Sequence, residues 1–519
     1  MRFANWKMDC LRRPSSRGGN LARRRRGEVP RRGEALESRV LLSTITVQNL
    51  NDSGPGSLRD AVATANSQPG SDTIEFSRRL RGSIVLTTGQ MEITDSLVIT
   101  GPGAARVSIS GNYASRIFRI QAGQTVLMSD LSLINGRQTT TDAIGIAVIR
   151  GGAILNEGST LHLSRVTFVN NRAEAPGEGF GEVNVVGGGA IANTSQATLE
   201  ARNCAFLNNT SSGGTSYAFG GAVANVTGST ARTENCQFTR NHVTGALQNY
   251  GGAVGNVGGS TYLSEGCNYV ANFAQGVFRG TPDQVNAFGG AIGVRPGTID
   301  NTPCRTAIEN CRFVSNRVEA AASPPGGTGT GGTAAGGAIY VLNSSLSLDG
   351  STLLGNVVQG GTGITTGGMA FGGGVAAEMT VSTGRPVSFI NTLVQGNVVR
   401  AGAGPSAVAM GGGLSLAGFV SLTETRVIGN VLQAGAIGTA EGGGIYLSAT
   451  SVTTLTDSRL VGNVAYGQVA LGGGLYSLGT NLVSPQVVSQ PWRLAHGNFA
   501  RGLVDNIFGT LSPMVPPPV

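Results

Sequence analysis

Lysine is almost absent from this 519-residue chain: Lys7 is the single one, so the 37 basic residues are otherwise arginines. Closely spaced aspartates are absent too. Between Gly151 and Asn498 no DD or DxD occurs, and the aspartates stand apart at Asp283, Asp300, Asp349 and Asp457. No local motif therefore supplies the pair of carboxylates that glycoside hydrolysis needs. The three histidines, His162, His242 and His496, fall at unrelated points and read as surface or groove residues. Long apolar runs are missing as well. The longest clean one, AIGIAVI at 143–149, is far short of the roughly 20 residues that cross a bilayer. Excess charge is missing from most of the chain. The formal net charge of +8 sits in residues 1–43, with eleven Arg and one Lys against four acids, and the other 25 basic and 25 acidic residues cancel. A body without a basic footprint is not expected to bind nucleic acid.

What the chain has in abundance is glycine, 82 residues of it, and repetition. A Gly-Gly-small-aliphatic tetrad begins at Gly151, Gly188, Gly220, Gly251, Gly289, Gly336, Gly372, Gly411, Gly442 and Gly472. The spacing is about 30 residues with insertions, the period of a solenoid. Downstream of each tetrad a hydrophobe precedes an Asn by three, from Phe168 with Asn171 and Phe206 with Asn209 to Leu460 with Asn463. The asparagine series is Asn171, Asn209, Asn241, Asn272, Asn316, Asn356, Asn397, Asn430 and Asn463. Two residues before the hydrophobe stands a column of small residues: Val166, Cys204, Cys236, Cys267, Cys311, Ser351, Thr392, Thr425 and Ser458. Positions two apart on a strand share a face, so column and hydrophobe should both point inward. Short period-two runs such as LHL at 161–163 add strand signals. No repeat holds a helix-length amphipathic stretch, which excludes ankyrin-like and leucine-rich arrays.

These features predict an all-β fold, a right-handed parallel β-helix whose coils each contribute three short strands. Ten regular coils at about 4.8 Å each give a rod of roughly 48 Å, preceded by three or four irregular coils. In this reading the asparagines stack, each amide hydrogen-bonding to the next, and each tolerates the left-handed conformation of a sharp bend. The Gly pair fits a corner without room for a Cβ. The GGAI and FxxN pattern resembles the repeats of polymorphic outer-membrane proteins, within the pectin-lyase-like β-helix superfamily. That resemblance covers about two thirds of the chain and implies the fold. It implies little about function, because the fold hosts adhesins, lyases, hydrolases and tailspikes.

Residues 1–43 contain RRRR at 23–26 and no apolar core of signal-peptide length. Their end, LESRVLLS at 36–43, resembles the LEPR-x-LL export signature of planctomycete bacteria, with Ser38 in place of Pro. The resemblance implies an exported protein, extracellular or held at the cell surface or outer membrane. A disordered basic tail is the plainer alternative. Residues 44–76 read as a cap: Ser57 can start a helix whose Leu58, Ala61, Val62 and Ala65 share one face, and a solenoid needs its first coil covered. Residues 77–150 follow as irregular coils, with strand-like runs at 82–87, 97–100, 107–110 and 125–134. The regular repeats span 151–498, and 499–519 is a Pro-rich tail.

Four of the six cysteines occupy one column and read as buried small hydrophobes, while Cys304 and Cys311, seven apart across a bend, are a candidate pair. The insertion after Asn171 carries Glu174, Glu178 and Glu182. An acidic, Gly-rich loop offers the oxygen ligands that Ca²⁺ takes, and a solvated loop reads the same way; otherwise no cofactor is expected. The segments from each ladder Asn to the next tetrad are long after Asn171, Asn272, Asn316, Asn356 and Asn397. They include Phe278, Arg279, Asp283, Arg317, Glu319 and Arg400, types that a glycan would contact, although GGTGTGGTAAGG at 326–337 reads as a spacer. Two function classes stay open. The first is a non-enzymatic surface β-helix for adhesion, glycan binding or envelope structure, with polysaccharide or envelope components as partners. The second is a polysaccharide lyase or hydrolase.

Overall fold

The computed structural model describes residues 43–139, 148–175, 185–213, 216–278, 284–297, 301–379 without 325 and 328, and 385–483 without 436. It also describes 494–500, 503, 504 and 507–514. The export-like segment before Ser43, Glu178, Glu182, Arg279, Asp283 and the whole SPQVVSQPW stretch lie outside these residues, as do the last five positions.

The chain folds as a right-handed parallel β-helix. Each regular coil contributes one strand to each of five stacked sheets. In the coil that starts after Gly188 the sheets are met in the order V, I, II, III and IV. The strands are Ile191–Thr194, Thr198–Arg202, Ala205–Leu207, Thr210–Ser212 and Tyr217–Phe219. Sheets I, II and V hold 15, 13 and 13 strands and form a three-sided shaft. Three strands per coil is therefore right for the shaft, but two more follow the ladder Asn.

Sheets III and IV, of 12 and 10 strands, are those additional layers. The chain leaves sheet II, runs out along III, turns, and comes back along IV to the Gly-Gly corner, so III and IV form a fin on the edge between II and V. Small side chains fill the fin. Val243, Ala274, Val318, Val358 and Val399 of sheet III meet Ala218, Ala287, Ala334, Ala370 and Ala409 of sheet IV, all buried. The described insertions, such as 360–369 and 401–407, thus sit at the outer tip of the fin. The described part of the glycine-rich segment is tied down there rather than being a loose spacer. Gly331 N–H donates to Thr366 O (3.0 Å) and Gly332 N–H to Ala321 O (2.9 Å).

The shaft core is one continuous apolar cluster along its length. Down its centre Phe168, Phe206, Phe238, Tyr269 and Phe313 stack with ring centroids 4.5 to 4.9 Å apart, the spacing of the coils. The first coils lack the fin, strand Gly82–Val85 of sheet II being followed directly by Met91–Ile93 of sheet V. The run 125–134 is two strands, Thr125–Ser129 and Ser132–Ile134, because Asp130 turns the corner with φ 58°.

Helix α1, Leu58–Ser67, lies over the first coil with Leu58, Ala61, Val62 and Ala65 buried and the Ser57 side chain accepting from Asp60 N–H. Asp52 fastens this cap. Its carboxylate accepts from Arg59 Nη2 (2.8 Å) and from the backbone N–H of Thr87 and Thr88 (both 2.9 Å). Burial alone would push the carboxyl up. The Thr87 N–H and the Arg59 guanidinium outweigh it and hold Asp52 well below the usual carboxylate range.

Candidate functional site

The asparagine series builds the scaffold on which any site rests. Each Asn from Asn171 to Asn463 is fully buried and donates from Nδ2 to the Oδ1 of the next at 2.9 to 3.0 Å. Asn498 is the tenth rung. Asn241 is typical: its Oδ1 accepts from Asn209 N–H and Nδ2, and its own Nδ2 donates to Asn272 Oδ1 and Phe206 O. The left-handed residue is not the ladder Asn but the one before it: Asn170, Asn208, Arg240, Ala271, Ser315, then Gly355, Gly396, Gly429 and Gly462. The ladder Asn is selected for its amide, which satisfies buried backbone at the bend, and not for its tolerance of positive φ.

A second buried asparagine ladder, Asn156, Asn193, Asn225 and Asn256, was missed in the sequence. Its Nδ2 to Oδ1 links are 2.7 to 2.9 Å. The signal was the last letter of GGAILN, GGAIAN, GGAVAN and GGAVGN. The cysteine column is buried and free, as are both members of the candidate Cys304–Cys311 pair. Those two thiols point to different partners: Cys304 Sγ to Arg295 O (3.2 Å), Cys311 Sγ to Glu309 O (3.2 Å). Burial pushes the Cys304 thiol up to about 11.

Of the candidate metal ligands, Glu174 ends a sheet III strand and its Oε2 accepts from Arg137 Nε at 2.9 Å. Its charge is already matched. Among the described residues no three His, Cys, Asp or Glu side chains are placed to share a metal ion. Arg317 and Glu319 stand on the outer face of sheet III and pair with each other at 2.7 Å. Arg400 is exposed on the same face, and Phe278 lies at the tip. On the outer face of sheet I, register brings together what the sequence scatters. Arg202, Glu234, Glu265, Glu309 and Asp349 occupy one column on successive coils. Arg202 and Arg232 lie 3.6 and 3.0 Å from Glu234 and Glu265 respectively.

The feature with the shape of a binding site lies on the other side, where the outward faces of sheets IV and V turn towards each other. There each coil from Phe219 to Phe371 fills the corner once. The last residue of a sheet IV strand and the second residue of the following sheet V strand form a large–small pair: Phe219 with Ala224, Tyr250 with Gly255, Phe288 with Gly293. The sides then exchange to Ala335 with Tyr340 and revert to Phe371 with Ala376. The small partner is obligatory. A Cβ on Gly255 would lie 2.8 Å from Phe219 Cβ, and one on Gly293 would lie 2.8 Å from Tyr250 Cβ. The rings form a row, Phe219 to Tyr250 at 5.6 Å, Tyr250 to Phe288 at 4.9 Å and Phe288 to Tyr340 at 4.6 Å.

One coil earlier, Gly187 and Ala192 are both small, and the row opens into a cleft of about 450 Å³. Phe219, Ala224 and Gly187 line it, with Tyr217, Val226 and Val257 beside them and Gln196, Thr227 and Thr302 on exposed turns. Arg295, the register partner of Val257, folds over the Tyr217 ring at 4.2 Å and the Tyr250 ring at 5.4 Å. It is only 8% exposed. Farther along the row, burial pushes the Glu378 carboxyl up, against the opposing effect of a hydrogen bond with Tyr340. The sequence signal for this corner was an aromatic immediately before or four residues after the first tetrad glycine.

No family model matches the chain. No curated protein matches it either. Among solved structures it is similar to the catalytic unit of an α-1,3-glucanase from Streptomyces thermodiastaticus, at 13% identity and a TM-score of 0.32 over 79% of this chain and 68% of that one. It is also similar to a mannuronic acid specific family 6 polysaccharide lyase from human gut microbiota (10%, 0.29, 87% and 94%). A third is tailspike protein 3 of bacteriophage CBA120 (13%, 0.29, 84% and 60%). Likenesses at these values carry no activity across. Among the described residues no helix is long and apolar enough to cross a membrane.

Proposed function

We propose that this protein is an exported, surface-exposed β-helix that binds a glycan in the cleft between shaft and fin and does not cleave it. The observation that carries this reading is the cleft itself: a rigid concave site with an aromatic and aliphatic lining and a few polar groups at its rim, the composition of small-ligand sites. Pyranose rings present apolar C–H faces with hydroxyls around them, and such a site offers both kinds of surface. The ladders make the strands around it unyielding, so recognition costs little ordering. Export is read from the LEPR-x-LL-like segment, and for an exported protein extracellular polysaccharide or envelope glycan is the partner at hand.

Hydrolysis is the second reading. Glu265 and Glu309 are neighbours in the sheet I column, where coils step by about 4.8 Å, near the roughly 5 to 5.5 Å between the carboxyls of retaining glycosidases. One experiment separates the two. Wild type, Tyr217→Ala and Val226→Trp are titrated against a panel of neutral and acidic polysaccharides, and each mixture is assayed for new reducing ends and for unsaturated products with Ca²⁺ present. The expected result is binding by wild type, at least tenfold weaker binding by both variants with unchanged melting, and no product. Undiminished binding by both variants removes the cleft from the reading. Product that disappears in Glu265→Gln replaces binding with hydrolysis.

A further inference from the structure

Arg295 is an anomaly beside the cleft. Several arginines on the outside of the molecule face carboxylates: Arg119 pairs with Glu157 at 3.0 Å, Arg165 with Asp130 at 2.6 Å and Arg232 with Glu265 at 3.0 Å. Arg295 lies flat on two tyrosine rings, more than nine-tenths buried, and its Nε and Nη1 are shielded from solvent with no acceptor in reach. Two guanidinium nitrogens that have lost water and gained no acceptor are held at a disadvantage that an anionic oxygen would relieve. The nearest carboxyl in its own column is that of Glu378. Leu342 stands between their coils, and Nε and Nη1 make no hydrogen bond to that carboxyl. Val257, Gly297 and Tyr217 line the cleft, and the guanidinium lies directly behind that lining, 4.2 Å from the Tyr217 ring. With no hydrogen bond to break at Nε or Nη1, it can turn from the Tyr217 face towards the opening.

We propose that Arg295 is an anion-recognition residue and that the cleft takes an acidic saccharide, one carboxylate or sulfate of which meets the guanidinium while a neighbouring sugar ring covers Phe219 and Tyr217. This deepens the glycan reading above and rests on it. The specificity follows from desolvation. A neutral sugar entering the cleft leaves Nε and Nη1 without a charged partner, whereas an acidic one supplies two oxygens in the plane of the fork.

The test uses the full chain and four probes: an oligogalacturonate, its methyl ester, a sulfated oligogalactan and the same galactan without sulfate. Affinities are measured for wild type, Arg295→Gln, Arg295→Lys and Tyr217→Ala, with melting temperature as the control for folding. Wild type should bind the acidic member of at least one pair tenfold or more tighter than its neutral counterpart, and the pair that shows it distinguishes carboxylate from sulfate. Raising the salt should shrink that difference. Arg295→Gln should bind both members at the neutral one's affinity, and Arg295→Lys should keep part of the preference. If Arg295→Gln unfolds, the wild-type preference and the lysine variant still decide. Equal wild-type affinity for acidic and neutral members, or a full preference in Arg295→Gln, overturns the anion assignment and leaves glycan binding standing. Binding to none of the four probes removes both, and so does binding that Tyr217→Ala leaves unchanged. Arginine-dependent binding of polyglutamate in place of every saccharide would reassign the cleft to an acidic peptide and sink the proposal.

Discussion

Replacing Asn241 by alanine tests whether the amide ladder holds the coils together. Four side-chain hydrogen bonds disappear: two from Asn209, at its N–H and Nδ2, and two from Asn241 Nδ2, to Asn272 Oδ1 and Phe206 O. At about 1 kcal/mol net for each, the loss is about 4 kcal/mol. Asn209 Nδ2 still reaches Phe168 O, and Asn272 Oδ1 still accepts from Asn241 N–H, so neither is orphaned. Asn209 N–H keeps no partner in a fully buried site, which sets the total at roughly 4 to 6 kcal/mol. Global melting understates the effect, because a coil contacts only its neighbours and the array need not open as one unit. The suitable assay is native-state hydrogen exchange at the neighbouring Asn208 amide, whose bond to Thr239 O the substitution leaves in place. A drop of about 4 kcal/mol in local opening energy accelerates exchange by roughly a thousandfold. The control is Asn268→Ala on the exposed face of the neighbouring coil; Asn301 serves less well, since its φ of 49° makes any non-glycine replacement strained. Exchange at Asn208 within threefold of wild type, or an equal loss in the control, would refute the argument.

Asp52→Ala should remove about 2 to 4 kcal/mol at neutral pH by leaving the Thr87 and Thr88 amides without their acceptor and Arg59 with only the carbonyls of Gly89 and Gln90, a change that urea unfolding followed at the cap would read. Because the folded state holds Asp52 below the ordinary carboxylate range, this stability is present above about pH 4 and lost as the pH falls towards the folded value. Wild type should therefore lose its advantage over Asp52→Ala on acidification. Glu378 has the opposite sign. Its carboxyl is raised by burial, so ionisation opposes folding once the pH rises above the ordinary range, and Glu378→Gln should gain on wild type between pH 4 and pH 8. Melting temperatures across that interval check it, and a constant difference between the two proteins would contradict it.

The Asn column, the tetrads and the hydrophobe three residues upstream were legible because a solenoid repeats its interior once per coil. A residue needed at one rung is needed at every rung. The face of α1 was legible for a similar reason, since Leu58, Ala61, Val62 and Ala65 obey helical spacing around a recognisable Ser57 cap. The fin was not. Its strands are two or three residues long, too short to show an alternation, and its interior is Ala and Val, which also furnish loops. The order of the glycine-rich segment was hidden because it comes from backbone hydrogen bonds between Gly331, Gly332 and other coils, to which no side chain contributes.

Taken alone, the sequence determined the repeat, its inward columns, the neutral body and the parallel β-helix, all of which depend on spacing along the chain and on the period of a strand. Only the tertiary structure decided which residues of different coils become neighbours. It placed Arg202, Glu234, Glu265, Glu309 and Asp349 in one column although 147 positions separate the first from the last. It also folded sheet IV against sheet V, so that Phe219 needs Gly255 beneath it and Arg295 rests on Tyr217. The reason is the coil step of about 4.8 Å. Residues 30 to 50 apart in sequence come into contact once they stack, and insertions at the fin tip vary that interval from coil to coil, so register along the axis cannot be counted from the chain and is fixed only when the coils are wound.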